Sequence, residues 1–129
     1  MLNDPLAAAL TKILNAEKVG KREVVLKPAS KMLKQILIIM NEFHFIGSYE
    51  EVESGEGSEL KVNLLGNINK CGVIKPRFST KARTIEKWEK RYLPAKDFGI
   101  ILLSTPKGIM THNNAREQGT GGKLLAYCY

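Results

Sequence analysis

The chain is 129 residues long, 43% hydrophobic and 26% charged, which suits one globular domain or two very small lobes and excludes a disordered chain. Its apolar runs, such as Ile36–Met40, fall far short of the ~18 residues a membrane span requires, and no unit of roughly 20–50 residues repeats, which excludes a solenoid. Lys and Arg number 20 against 13 Asp and Glu, a net charge of +7 that makes a polyanion the expected partner.

Asp4-Pro5 reads as a helix start. Asp4 can cap the first amides, Pro5 fits the first turn, and Leu6, Leu10, Ile13 and Leu14 fall on one face, with Lys18 and Gly20 as the stop. Glu23–Lys27 is an expected short strand. Pro28-Ala29-Ser30 introduces a second helix, capped by Ser30, with Leu33, Ile36, Leu37 and Met40 facing inward and an end near Asn41–Phe43. Phe45–Val52 and Leu60–Leu65 are expected strands, joined by an acidic, glycine-containing loop from Glu51 to Glu59. Residues 1–65 thus read as an αβαββ lobe.

The pattern changes at Gly66–Lys70, the expected boundary. Cys71–Ile74 is a short apolar strand, and Arg77–Arg83 is basic and irregular. Ile85, Trp88 and Tyr92 recur at helical spacing within Thr84–Tyr92, whose Lys87, Lys90 and Arg91 alternate with Glu86 and Glu89 as on a salt-bridged solvent face; Pro94 ends that helix. Gly99–Ser104 is an expected buried strand, Thr105-Pro106-Lys107-Gly108 a turn, and Ile109–Thr111 its returning strand. Thr111 is placed to cap a short helix, His112–Gln118, that stops at Gly119, and Leu124–Tyr129 is the last strand. The second lobe, residues 66–129, is mostly β with short helices, and the fold class is α/β in the α+β sense.

The charge is unevenly placed. Residues 1–60 carry 7 basic and 9 acidic side chains, whereas residues 61–129 carry 13 basic and 4 acidic, nets of −2 and +9. A field concentrated in one half favours nucleic acid over a charge kept for solubility. Catalytic constellations are missing: Gly119-Thr120-Gly121-Gly122-Lys123 lacks the upstream glycine and the hydroxyl after the lysine that a phosphate-binding loop needs. His44, His112, Cys71 and Cys128 show no ligand spacing, so neither a metal nor a cofactor is expected, and the cysteines should pack as small apolar residues. His44, between Phe43 and Phe45, reads as a partly buried ring. The opening Met1-Leu2-Asn3-Asp4-Pro5 has no basic start before an apolar stretch, unlike a secretory signal, so the expected setting is cytoplasmic. An enzyme acting on a small molecule is not expected, nor is a membrane partner.

The positive signal lies in Ser104-Thr105-Pro106-Lys107-Gly108, where two hydroxyls, an ammonium and open backbone amides share one turn. Such groups hydrogen-bond phosphate and ribose oxygens, although an ordinary hairpin connection uses the same residues. Thr111, Arg116, Gly121, Gly122 and Lys123 lie just beyond, and Arg77, Lys81 and Arg83 extend the basic patch. In the first lobe Thr11, Lys12, Asn15 and Lys18 share the polar side of the opening helix, and Lys31 and Lys34 begin the second. A solvated face is the plainer reading of these.

Asp4-Pro5-Leu6-Ala7 with Thr11 and Asn15-Ala16, then Pro28-Ala29-Ser30-Lys31, resemble the amino-terminal signature of the eighth small-subunit ribosomal protein, called S-fifteen-a in eukaryotes. Gly99-Ile100 through Leu103-Ser104-Thr105-Pro106-Lys107-Gly108-Ile109-Met110-Thr111, then Ala115-Arg116 and Gly119-Thr120-Gly121-Gly122-Lys123, resemble its carboxy-terminal signature. Asn69–Phe78, Lys87–Pro94 and Leu124–Tyr129 are similar to the archaeal and eukaryotic branch, the archaeal members more closely. The resemblance implies a two-lobed protein of the small ribosomal subunit that binds a central-domain stem of its ribosomal RNA directly and early in assembly, beside neighbouring ribosomal proteins. It also implies that Ser104, Thr105, Lys107 and Gly108 form the base-reading turn, supported by Arg116, Gly121 and Gly122, and that Asp4, Thr11, Asn15 and Lys31 face RNA. Bacterial members usually carry Ser where this chain has Pro106 and Glu where it has Lys123, so the base contacts of those groups do not carry over and a greater reliance on phosphate contact is expected there. Two other readings remain at this stage: a repressor that binds a similar stem in its own messenger, as some members do, and a protein–protein adaptor using the basic lobe.

Overall fold

The structure, a computed structural model, describes residues 5–27, 30–55, 57–95 and 98–129. Among them four helices and two antiparallel sheets make a mixed α+β fold. The chain divides into two compact units, Met1–Asn69 and Lys70–Tyr129.

In the first unit, Leu6, Ala9, Leu10, Ile13 and Ala16 recur every three or four residues and are buried along α1 (Pro5–Lys18). Leu14, expected on that face, is only half-buried. The expected cap, Asp4, lies outside the described residues, as do Pro28 and Ala29. Helix α2 (Lys31–Glu42) follows Ser30, whose Oγ accepts from the Leu33 amide at 3.1 Å, and it buries Leu33, Ile36, Leu37 and Met40. The helix closes through a left-handed residue, His44 (φ 62°), as the Phe45 amide reaches back to the Met40 carbonyl at 2.9 Å. That reversal turns the His44 side chain out, so the ring is exposed rather than partly buried.

Strands β1 (Glu23–Leu26), β2 (Ile46–Ser54) and β3 (Gly57–Leu64) form a sheet with β3 in the centre. Val24, Leu26, Ile46, Leu60, Val62 and Leu64 are its buried residues. The acidic segment is not the expected loop. Pairing of β2 with β3 continues through Glu51–Leu60, Val52–Glu59 and Glu53–Ser58 to Ser54–Gly57, so most of it is strand; Glu56 lies outside the described residues. Cations offset part of its charge: Lys34 donates to Glu51 at 2.8 Å, and Lys27 meets Glu59 at 2.8 Å. The ammonium of Lys34 holds the Glu51 carboxyl below its ordinary value of 4.5.

The second unit is built on strands β4 (Cys71–Val73), β5 (Ser79–Thr80), β6 (Ile100–Thr105), β7 (Gly108–Thr111) and β8 (Gly122–Cys128). The order is β4-β8-β6-β7, and β5 also pairs with β8. Arg77–Arg83, expected to be irregular, contains β5 and a single 3-10 turn, Ala82–Thr84. Helices α3 (Ile85–Tyr92) and α4 (His112–Gln118) complete the unit. Ile74, Ile85, Trp88, Leu93, Ile101, Leu103, Met110, Ala115 and Leu124 form its core, with Phe78 stacked on Trp88 at 4.9 Å between ring centroids. Cys71 and Cys128 are both buried, opposite one another in register.

Candidate nucleic-acid interface

The hairpin between β6 and β7 pairs Thr105 with Gly108, leaving Pro106 and Lys107 at its tip. Gly108 has φ +116°, a conformation that side chains rarely adopt, so glycine is required where the strand resumes. Thr105 is 8% exposed, and its hydroxyl is engaged inside the turn: Oγ1 donates to the Gly108 carbonyl at 2.7 Å and accepts from the Lys107 amide at 3.2 Å. Thr105 therefore shapes the turn, whereas Ser104, Lys107 and Gly108 are exposed on it.

Strand β8 brings the remaining glycines and Lys123 to this turn. A Cβ on Gly122 would press on the Ser104 carbonyl and lie 3.1 Å from Thr105 Cα; one on Gly121 would press on the Thr80 carbonyl and lie 2.9 Å from Lys81 Cα. The two glycines thus let β8 approach β6 on one side and the β5–Lys81 segment on the other. The next residue, Lys123, is opposite Ser104 of β6 and also opposite Ser79 of β5. Opposed residues in a ladder share a face, and Ser79, Lys123 and Ser104 are all exposed while Thr80, Leu124 and Leu103 are buried. One ammonium is flanked by two hydroxyls.

Two expected site residues are placed differently. Thr111 is 1% exposed, and its Oγ1 accepts from the Asn114 amide at 3.3 Å as the cap of α4. Helix α4 is the expected one, ending at Gly119 in the left-handed conformation. Arg116 leaves α4 to pair with Glu89 of α3, whose side chain is 5% exposed, and His112 Nε2 lies 3.8 Å from the same carboxylate. The Ile101 amide donates to His112 Nδ1 at 3.1 Å.

Glu89 is therefore not on a salt-bridged solvent face. Glu86 and Lys90 pair there, at 3.7 Å, while Lys87 lies over Trp88 and Arg91 over Phe78, Trp88 and Tyr92. Glu89 follows Ile85 by four positions and Trp88 by one, so helical periodicity could have located it; its charge hid it. Beside this pair is a pocket of about 450 Å³ lined by Arg83, Glu86, Glu89, Lys90, Leu93 and Arg116. Arg83 thus lies at the pocket, Lys81 near Gly121, and Arg77 exposed just before β5.

In the first unit Thr11 and Asn15 are exposed one turn apart on α1, and Lys31 is exposed at the start of α2. Asn15 also lines a cleft of about 510 Å³ with Lys12, Lys21 and Glu23. Asp4 lies outside the described residues. Among the described residues no group of His, Cys, Asp and Glu is arranged to hold a metal ion, and no helix is long and apolar enough to cross a membrane.

The second unit, residues 70–129, holds 12 basic and 4 acidic side chains, so the exposed row lies in the positive half of the molecule. Residues 4–129 match the family model described as Ribosomal protein S8.

Proposed function

The chain belongs to the ribosomal protein S8 family, whose members are structural, RNA-binding proteins of the small ribosomal subunit acting in translation, and we propose that it is a primary binder of a central-domain stem of small-subunit ribosomal RNA. In this reading it fixes the fold of that domain during assembly, as a member of the archaeal and eukaryotic branch. It performs no chemistry: positive charge in the second unit drives association, and the hairpin at Ser104–Gly108 selects the site.

The observation that carries this reading is the placement of Lys123 beside the Ser104–Gly108 turn within the strongly basic unit. Charge alone gives sequence-independent affinity, because neutralised phosphates release counterions. Selectivity needs groups held at fixed positions, and the turn supplies them: the Ser104 hydroxyl and the backbone of Lys107 and Gly108, rigidified from within by Thr105. Regular RNA duplex offers shape, phosphates and 2′-hydroxyls, whereas an internal loop also exposes base edges. In the first unit Thr11, Asn15 and Lys31 hold an adjacent RNA segment or a neighbouring ribosomal protein. Arg116 acts in this reading through Glu89, as a positioning residue for α4 and the strands before it.

The test is a titration of the protein against the central-domain stem and a fully paired control stem at two salt concentrations. Tight binding to the first, weaker binding to the second, and loss of affinity with salt are expected. Equal affinity for both stems would leave a nonspecific basic protein and withdraw the role of the turn.

A further inference from the structure

We propose that Ser79 is a further RNA-contacting residue and that Ser79, Lys123 and Ser104 form one cradle for the ribose–phosphate backbone of a single strand. The inference rests on the RNA-binding reading above and names chemistry within that site.

Strand β5 is two residues long and carries no periodic pattern, yet its register with β8 puts Ser79 opposite the lysine that already faces Ser104. Neighbouring strands are ~4.8 Å apart, so the backbones of the two serines lie about 10 Å apart, with that of Lys123 between them. Their spacing is set by the backbone ladder, not by flexible side chains. The Leu124 amide donates to the Phe78 carbonyl at 2.9 Å beside Ser79, and Gly121 and Gly122 remove the Cβ atoms that would separate the three strands.

The charge at the centre is available. Lys27, Lys34, Lys61, Lys90 and Arg116 each face a carboxylate, whereas no ion pair of Lys123 is present among the described residues. An ammonium attracts phosphate as a point charge with little directional preference. Serine hydroxyls both donate and accept, so they suit phosphate oxygens and ribose 2′-hydroxyls alike. The lysine therefore supplies attraction, and the two serines fix where the strand lies along the sheet. An exposed serine is ordinarily inert; its position across Lys123 from Ser104 is what distinguishes this one.

The experiment compares the intact protein with Ser79→Ala, Ser79→Thr, Lys123→Ala and the Ser79→Ala/Lys123→Ala double variant, each titrated against the central-domain stem over a range of salt. Ser79→Ala should weaken binding roughly three- to tenfold, the scale of one hydrogen bond, with an unchanged salt slope and an unchanged thermal midpoint. Ser79→Thr keeps the hydroxyl and should restore most of the affinity. Lys123→Ala should lower the log–log salt slope by about one unit, and the double variant should lose less than the product of the single losses. If the stem is bound but Ser79→Ala binds as well as the unsubstituted protein, this inference is overturned and the previous reading stands. If the unsubstituted protein does not distinguish the stem from a paired control, the previous reading fails and this one with it.

Discussion

Removing Arg116 should destabilise residues 70–129 more than removing the carboxylate it pairs with. Glu89 is 5% exposed and Arg116 is 38% exposed, so the two partners are not equivalent. Arg116→Ala leaves a carboxylate buried in the unit, with His112 Nε2 at 3.8 Å. Deleting one partner of a fully buried pair costs about 3–5 kcal/mol; partial solvent screening of the guanidinium reduces the expected loss to about 2–3 kcal/mol. Glu89→Leu takes away the group that water does not reach and leaves an arginine able to extend into solvent, so about 1 kcal/mol or less is expected. The double substitution should recover most of what Arg116→Ala loses. Trp88 is the one tryptophan of the chain and is 6% exposed against Phe78, so its fluorescence in a urea titration reports the second unit specifically. If Glu89→Leu proves as costly as Arg116→Ala, or both are indistinguishable from the unsubstituted protein, the buried-carboxylate reasoning is wrong.

Three further outcomes are expected. Thr105→Val removes the hydroxyl that bridges Gly108 and Lys107, at about 1–2 kcal/mol in the same titration, and should weaken discrimination between cognate and paired stems more than total affinity. Gly122→Ala drives a Cβ against the Ser104 carbonyl, so a loss of about 1–3 kcal/mol is expected, with faster amide exchange in β6 and β8 around Ser104 and Lys123. Lys34→Met removes the donor that lowers the Glu51 titration, and a carboxyl NMR titration should show Glu51 returning toward 4.5. Because the folded value is depressed, the small stabilisation is present above 4.5 and fades as pH falls through the lowered folded value; an unchanged Glu51 midpoint in the variant would refute the pairing.

Local patterns in the chain carried well where the physics is local. Ser30 with Leu33, Ile36, Leu37 and Met40 specifies a capped helix and its buried stripe, since a cap and a 3.6-residue period are both decided within a few residues. Thr111 and Gly119 likewise bound α4, and Thr105 to Gly108 is a legible turn. Of the two roles read for Thr111, the cap is the one its hydrogen bond shows. The acidic stretch after Glu50 looked like a loop because glycines and glutamates seldom favour strands. Pairing with the central strand β3, and cations at Lys27 and Lys34, overrides that preference.

From residues alone came the α+β pattern, the basic second half, and the turn and glycines that make a polyanion site plausible. Tertiary structure decided which of those groups meet. Ser79 is 44 positions before Lys123 and Ser104 is 19 before it, and only the register of β8 against β5 and β6 sets all three on one face. Glu89 and Arg116 lie on separate helices, and only their packing turns two surface-type charges into a buried pair. Strand register and helix docking depend on distant partners through burial and backbone pairing, and no local period encodes them.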